Sequence, residues 1–323
     1  MEPGRNRDVV VIGGSAGSLE PIKTITAGLP ADLPAAVLVT MHLGADAPSL
    51  LAPIIGRGAG MPAVVPRDGD PVKAGYIYVA RPDYHLEVGE RRMHHGHGPK
   101  VNGVRPAIDV MFKSAVATFG PHVVGVVLSG GLDDGSAGLA SVKRAGGVAI
   151  VQDPEDATVV SMPMNAIQRA APDHVAPSAE IARLVVDAVN QPAHDGGQEM
   201  QRGGSAMPVP VAAEDVEGRV TGLTCPECHG GIWMRGAPDE ITFSCRVGHS
   251  YSPEAFFELQ AENVENALWA GVRSLEEQAS LAETMASRAE RARNESARDR
   301  YERRRAVAAG NAEVRRRLLV ERD

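Results

Sequence analysis

Val9-Val10-Val11-Ile12-Gly13-Gly14-Ser15-Ala16-Gly17-Ser18 has the pattern of a buried strand running into a glycine-rich turn. Four consecutive β-branched residues suit a strand covered on both faces, as in a parallel sheet. Ser18-Leu19-Glu20-Pro21-Ile22 then opens a helix, with Pro21 tolerated in its first turn. This order places Ser15 at the C-terminal end of the first strand, the edge where open α/β sheets bind ligands and do chemistry.

Outward from this stretch, strands and helices alternate. Further strands are expected at Ala36–Thr40, Ala63–Val65, Tyr76–Ala80, His85–Val88, His122–Ser129 and Val148–Gln152. Helices are expected at Leu19–Gly28, Leu50–Gly56, Ile108–Phe119, Ser136–Ala145 and Ile181–Asn190. The alternation predicts an α/β fold with a doubly wound, mostly parallel, Rossmann-like sheet over residues 1–192. Composition changes at Gln191: residues 193–220 are rich in Gly, Pro and Gln and read as a flexible linker. A compact Cys/His segment follows at 221–252, then a helical region at 253–323 with an apolar stripe at Val264, Leu268, Val272, Leu275 and Ala279.

A net charge of −8 argues against general nucleic-acid affinity, and no apolar run is long enough to insert in a membrane. Arg303-Arg304-Arg305 and Arg315-Arg316-Arg317 are interleaved with acids and read as a solvated helical face. The polar segment Met1–Asp8 lacks a signal-peptide core, and three clustered cysteines suit a reducing compartment, so a cytoplasmic protein is expected.

Three strand ends carry reactive residue types: Ser15, His42 after the second strand, and Asp133-Asp134 after the His122–Ser129 strand. A serine hydroxyl needs a base to take its proton. Histidine can do so near neutral pH, and a carboxylate fixes its tautomer and stabilises the imidazolium. A dinucleotide site fits poorly: Gly13, Ser15 and Ser18 fill the three fingerprint positions, and His42 stands near the expected acid. The chain order Ser, His, Asp also differs from the serine elbow of α/β-hydrolases. His94, His95 and His97 could hold a metal, but a loop between strands accounts for them equally well.

Several further segments fall in one order. They are Gly13-Gly14-Ser15-Ala16-Gly17-Ser18, His42, Gly98-Pro99-Lys100-Val101-Asn102-Gly103-Val104-Arg105-Pro106-Ala107-Ile108-Asp109-Val110-Met111-Phe112, Leu128-Ser129-Gly130-Gly131-Leu132-Asp133-Asp134-Gly135, Gln152-Asp153-Pro154-Glu155 and Ser161-Met162-Pro163. Together they resemble the CheB-type chemotaxis methylesterases over about residues 8–190. The resemblance implies that Ser15 attacks the carbonyl of a glutamate γ-methyl ester on a chemoreceptor, with no cofactor for catalysis. It implies His42 as general base and then acid, Asp134 as its orienting carboxylate, and the Ala16 backbone N–H as an oxyanion donor. Glutamine deamidation is a second implied reaction. Three departures stand out: Ser18 replaces a turn glycine, Gly131-Leu132 replaces a Met-Gly pair, and the family's receiver domain does not precede the first strand. Phosphorylation in cis is therefore not expected. Alternatives are a non-catalytic scaffold that binds signalling partners, and the same esterase chemistry on a non-chemotaxis protein.

Cys225-Pro226-Glu227-Cys228, sixteen residues, then Cys245-Arg246-Val247-Gly248-His249 is zinc-ribbon spacing. Cys225, Cys228, Cys245 and His249 are the expected ligands of a closed, structural zinc site, with His229 in reserve. Metal would supply much of the folding energy of so short a segment. Recognition of a partner protein through this C-terminal region is expected rather than binding of nucleic acid.

Overall fold

The computed structural model describes residues 6–193, 218–237 and 241–320. Compact unit 1 ends at Phe256, and unit 2 begins at Phe257.

Unit 1 is built on a seven-stranded sheet in the order β3-β4-β2-β1-β7-β8-β9, every pairing parallel. The strands are β1 (Val9–Gly14), β2 (Ala36–Met41), β3 (Ala63–Val64), β4 (Ile77–Val79), β7 (Val123–Val127), β8 (Val148–Gln152) and β9 (His174–Ala176). Successive β1 side chains serve opposite cores. Val9 and Val11 join one cluster with α3 (Ile108–Phe119), α4 (Ser136–Arg144) and α5 (Ser161–Ala170). Val10 and Ile12 join the other with α1 (Leu19–Gly28), α2 (Leu51–Gly56) and α6 (Ser178–Asn190). This period of two explains why the run is apolar throughout: both of its faces are covered.

β2 and β7 are the two neighbours of β1. Strand order therefore reverses beside β1, and the C-terminal ends of these three strands mark the switch point at which open α/β sheets bind ligands.

Some expectations need correction. The expected His122–Ser129 strand is shorter, with His122 in a 3₁₀ turn. His85–Val88 is not part of the large sheet: β5 (His85–Gly89) pairs antiparallel with β6 (Arg92–Gly96). His94 and His95 thus lie in a strand rather than a loop. α5 and β9 were not foreseen. The linker expected at 193–220 falls mostly outside the described residues, but its last two residues, Arg219 and Val220, belong to a strand.

The Cys/His segment forms a four-stranded antiparallel sheet of β10 (Arg219–Thr224), β11 (Gly231–Arg235), β12 (Thr242–Cys245) and β13 (Ser250–Tyr251). It belongs to unit 1.

α7 (Pro253–Arg291) begins in unit 1 and continues through unit 2, where α8 (Glu295–Val320) follows a turn at Ala292–Asn294. Within unit 2, Ala282, Ala286, Ala289, Ala308 and Ala312 are buried, and Glu276 pairs with Arg316. Of the expected stripe only Val272 is fully buried, and Val264 is exposed. No described helix is long and apolar enough to cross a membrane.

Candidate active site

Ser15 follows β1 directly, and backbone pairing fixes its position. Its N–H donates to Ser129 O at 2.9 Å, and its own carbonyl accepts both the N–H and the hydroxyl of Ser18, at 3.1 and 2.6 Å. The hydroxyl of Ser18 thus ties down the turn where the family pattern has a glycine, and its side chain is fully buried. On the other side, the Ser129 hydroxyl donates to Ala16 O at 2.8 Å. The Ala16 N–H has no acceptor among the described residues, and Ala16 is an exposed residue.

His42 leaves the end of β2, where its N–H donates to Gly14 O. The Ser15 hydroxyl meets Nδ1 of His42 at 3.1 Å, and Nε2 of His42 meets Oδ2 of Asp134 at 2.8 Å. With the proton on Nε2, the ring donates to the carboxylate and leaves Nδ1 free to accept from the serine. The His42 side chain is 14% exposed and that of Asp134 only 3%, so the imidazole can be reached from solvent while the Asp134 carboxylate is dry.

The structure separates the two adjacent aspartates. Asp134 turns to His42. Its Oδ2 also accepts the Ile108 N–H at 2.6 Å, and its Oδ1 accepts the Asp109 N–H at 3.2 Å and the Asn102 amide at 3.1 Å. Burial alone would raise its pKa. The His42 hydrogen bond and charge, with the Ile108 and Asn102 donors, outweigh that and hold it below the usual carboxylate range. Asp133 turns away and accepts the Ser252 hydroxyl at 2.8 Å. Burial pushes its carboxyl up to about 6, a rise moderated by that hydrogen bond.

Asp109 is an anchor rather than a reactive group: its Oδ1 accepts the N–H groups of Gly135 and Gly138, joining α3 to the start of α4. Gly135, at φ +94°, sits so close to Ile108 that a Cβ there would lie 2.8 Å from Cγ2 of the isoleucine. Glycine is what lets the Asp134 backbone approach the N-terminus of α3.

The remaining candidates disperse. Arg105 pairs with Asp83, and Arg81 stacks on Tyr84. His85 is buried between the Pro99 carbonyl and the Ala107 N–H, 3.1 Å from each. His95 meets Pro66 O, and His97 meets Asp83, so the histidine cluster converges on no common point. Asn102 lies in the Gly98–Phe112 segment, and the sequence assigns it no role. Its backbone φ of +52°, followed by +75° at Gly103, is the turn that an Asn-Gly pair signals locally; its bond to Asp134 is a tertiary fact with no local signal.

Cys225, Cys228, Cys245 and His249 do converge, their ligand atoms all within 4.8 Å of one another. This is the set that could hold a metal.

A doubly wound sheet with a serine, a histidine and a carboxylate joined at its switch point defines a serine hydrolase. Residues 10–185 match the CheB methylesterase family, and the chain belongs to that family. A protein of Leptospira interrogans, provisionally named protein-glutamate methylesterase/protein-glutamine glutaminase, is 34% identical over 182 residues, covering 56% of this chain and 94% of that one. The protein-glutamate methylesterase/protein-glutamine glutaminase of Symbiobacterium thermophilum is 38% identical over 186 residues, 57% of this chain and 51% of that protein, so the chain spans about half its length. The crystal structure of the Thermotoga maritima CheB methylesterase catalytic domain superposes with a TM-score of 0.54 at 29% identity, over 56% of this chain and 97% of that one.

Proposed function

We propose that this enzyme hydrolyses glutamate γ-methyl esters on a chemoreceptor-type protein, with Ser15, His42 and Asp134 as its triad and glutamine deamidation as a second reaction. The observation that carries the reading is the continuous hydrogen-bond line from the Ser15 hydroxyl through both nitrogens of His42 to buried Asp134. The names of the relatives support the same substrate class.

In the first half-reaction, Ser15 Oγ bonds to the ester carbonyl carbon as its proton passes to Nδ1 of His42. Asp134 stabilises the imidazolium through Nε2–H. The Ala16 N–H donates to the oxyanion, an interaction worth about 10²–10³ in rate. Collapse breaks the bond to methoxide, which takes the proton from His42 and leaves as methanol. Water then attacks the acyl-serine, giving its proton to His42. Ser15 Oγ leaves with that proton, and the glutamic acid released gives its remaining proton to solvent to become the carboxylate. With glutamine the leaving group is ammonia.

The test is methanol release from a methylated chemoreceptor, comparing wild type with Ser15→Ala. The expected result is a loss of at least about 10³-fold in kcat. Equal rates would remove Ser15 as nucleophile. A wild type that acts on small methyl esters but never on receptor glutamates would restrict the reading to esterase chemistry on another protein.

A further inference from the structure

The Cys/His sheet is docked against the strand-end loops that hold the triad. Asn102 N–H donates to Ser250 O at 2.7 Å, and Ser252 N–H donates to Asn102 Oδ1 at 2.9 Å. The Ser252 hydroxyl donates to Asp133 at 2.8 Å and accepts the Ala255 N–H at 3.0 Å. Gly248 lies against the ring of Pro99, and Lys100 pairs with Glu227 at 3.0 Å. Asn102 is therefore held from both ends. Its oxygen is fixed by the backbone just after His249, and its NH₂ group donates to Asp134.

Three of the six separations among the candidate ligand atoms have the length a tetrahedral zinc site requires, and all lie within 4.8 Å. Sγ of Cys228 and Cys245 are 3.7 Å apart, and Nδ1 of His249 is 3.6 Å from Sγ of Cys225 and 3.5 Å from Sγ of Cys245. A tetrahedron with Zn–S about 2.3 Å and Zn–N about 2.0 Å has edges of roughly 3.5–3.8 Å. A sulfur separation of 3.7 Å is far longer than a disulfide bond, so no such bond ties the two turns. Apolar burial in this small sheet is slight: besides Cys225 and Cys245, Ile232 and Tyr251 are its buried apolar side chains, with Phe256 of α7 against Phe243 and Tyr251. A structure with so little core needs another source of order.

The geometry points to Cys225, Cys228, Cys245 and His249 binding one zinc ion, and to the zinc-ordered sheet acting as a positioning element that holds Asp134 through Ser252 and Asn102. On binding, the cysteines release their thiol protons to solvent and His249 offers the Nδ1 lone pair. The effect on turnover rests on the methylesterase reading; zinc binding does not.

The test uses the full chain purified under reducing conditions. Elemental analysis is expected to give about one zinc per chain. Stripping zinc with a chelator is expected to shift or broaden the downfield proton resonance of His42 Nε2–H, to lower kcat by about 10- to 100-fold, and to leave KM within about twofold; adding zinc back restores all three. Asn102→Gly, which suits the positive φ, should keep zinc yet show the same loss of resonance and of kcat. It serves as the test if ligand variants do not fold. Reduced chain without zinc, a stripped chain with unchanged resonance and kcat, or an unaffected Asn102→Gly would each overturn the inference. If Ser15→Ala released methanol at the wild-type rate, the methylesterase reading would fall while zinc content and resonance still decided the metal.

Discussion

Asp134 takes the Ile108 N–H at 2.6 Å, so the carboxylate that faces His42 also closes the N-terminus of α3. A negative charge at a helix N-terminus is favoured. Because the folded carboxyl ionises below its ordinary value of 3.8, the unfolded chain binds more protons in the window between the two. Stability contributed by Asp134 is therefore complete above the unfolded value and lost as pH falls through the folded one. Asp134→Asn should flatten this acid limb in denaturant midpoints measured against pH. It should also lower kcat by about 10³–10⁴ with little change in KM.

Asp133 has the opposite sign. Burial lifts its carboxyl to about 6, with Asp109, Glu254 and Asp134 adding to the rise and the Ser252 hydroxyl opposing it; Arg169 Nη1 lies 3.9 Å away. The folded state then holds a proton that the unfolded state has lost. Its contribution is full below the unfolded value of 3.8 and lost as pH rises through about 6. The swing is at most about 3 kcal/mol. Asp133→Asn should remove this fall in stability across the window, as read by denaturant midpoints at several pH values. Its kcat at neutral pH should stay close to wild type, because Asp133 does not touch His42.

A Cβ on Gly130 would lie 2.6 Å from Sδ of Met162 and 2.8 Å from Cβ of Ser15. Methionine can move aside; Ser15, pinned by Ser129 and Ser18, can do so only by leaving His42. Gly130→Ala should therefore cost at least about tenfold in kcat while the melting temperature falls by only a few degrees. An unchanged kcat would show that the turn yields without moving the hydroxyl.

Leu132 stands in left-handed backbone at φ +61°, where the family pattern has a glycine. A side chain there costs about 1 kcal/mol. Two variants isolate the backbone from the lost leucine packing: Leu132→Gly should be more stable than Leu132→Ala by about that amount in chemical denaturation.

The parallel sheet is legible because β1, β2, β7 and β8 are apolar runs rich in β-branched residues, and their ends align by topology alone. Ser15 and His42 followed from that alignment. Choosing Asp134 over Asp133 did not, since the two differ only in which way a left-handed turn at Leu132 and Gly135 aims them. β6 was missed because Met93 is its only fully buried side chain in an otherwise polar run. The stripe on α7 is only partly legible: apart from Val272, the buried side chains of unit 2 are small alanines, whose pattern is faint beside valine and leucine. The docking of the small sheet uses serine, asparagine and backbone groups, which carry no hydrophobic period to read.

The placement of β1 between β2 and β7 has a consequence during synthesis. Ser15 and His42 are 27 residues apart in the chain, whereas Asp134 lies 92 residues beyond His42. At roughly 5–20 residues per second a ribosome takes about 5–20 s to add that stretch. Throughout that interval the nascent polypeptide carries a serine and a histidine with no carboxylate to orient them, and the proposed triad is complete only once the Asp134 segment emerges and β7 inserts beside β1.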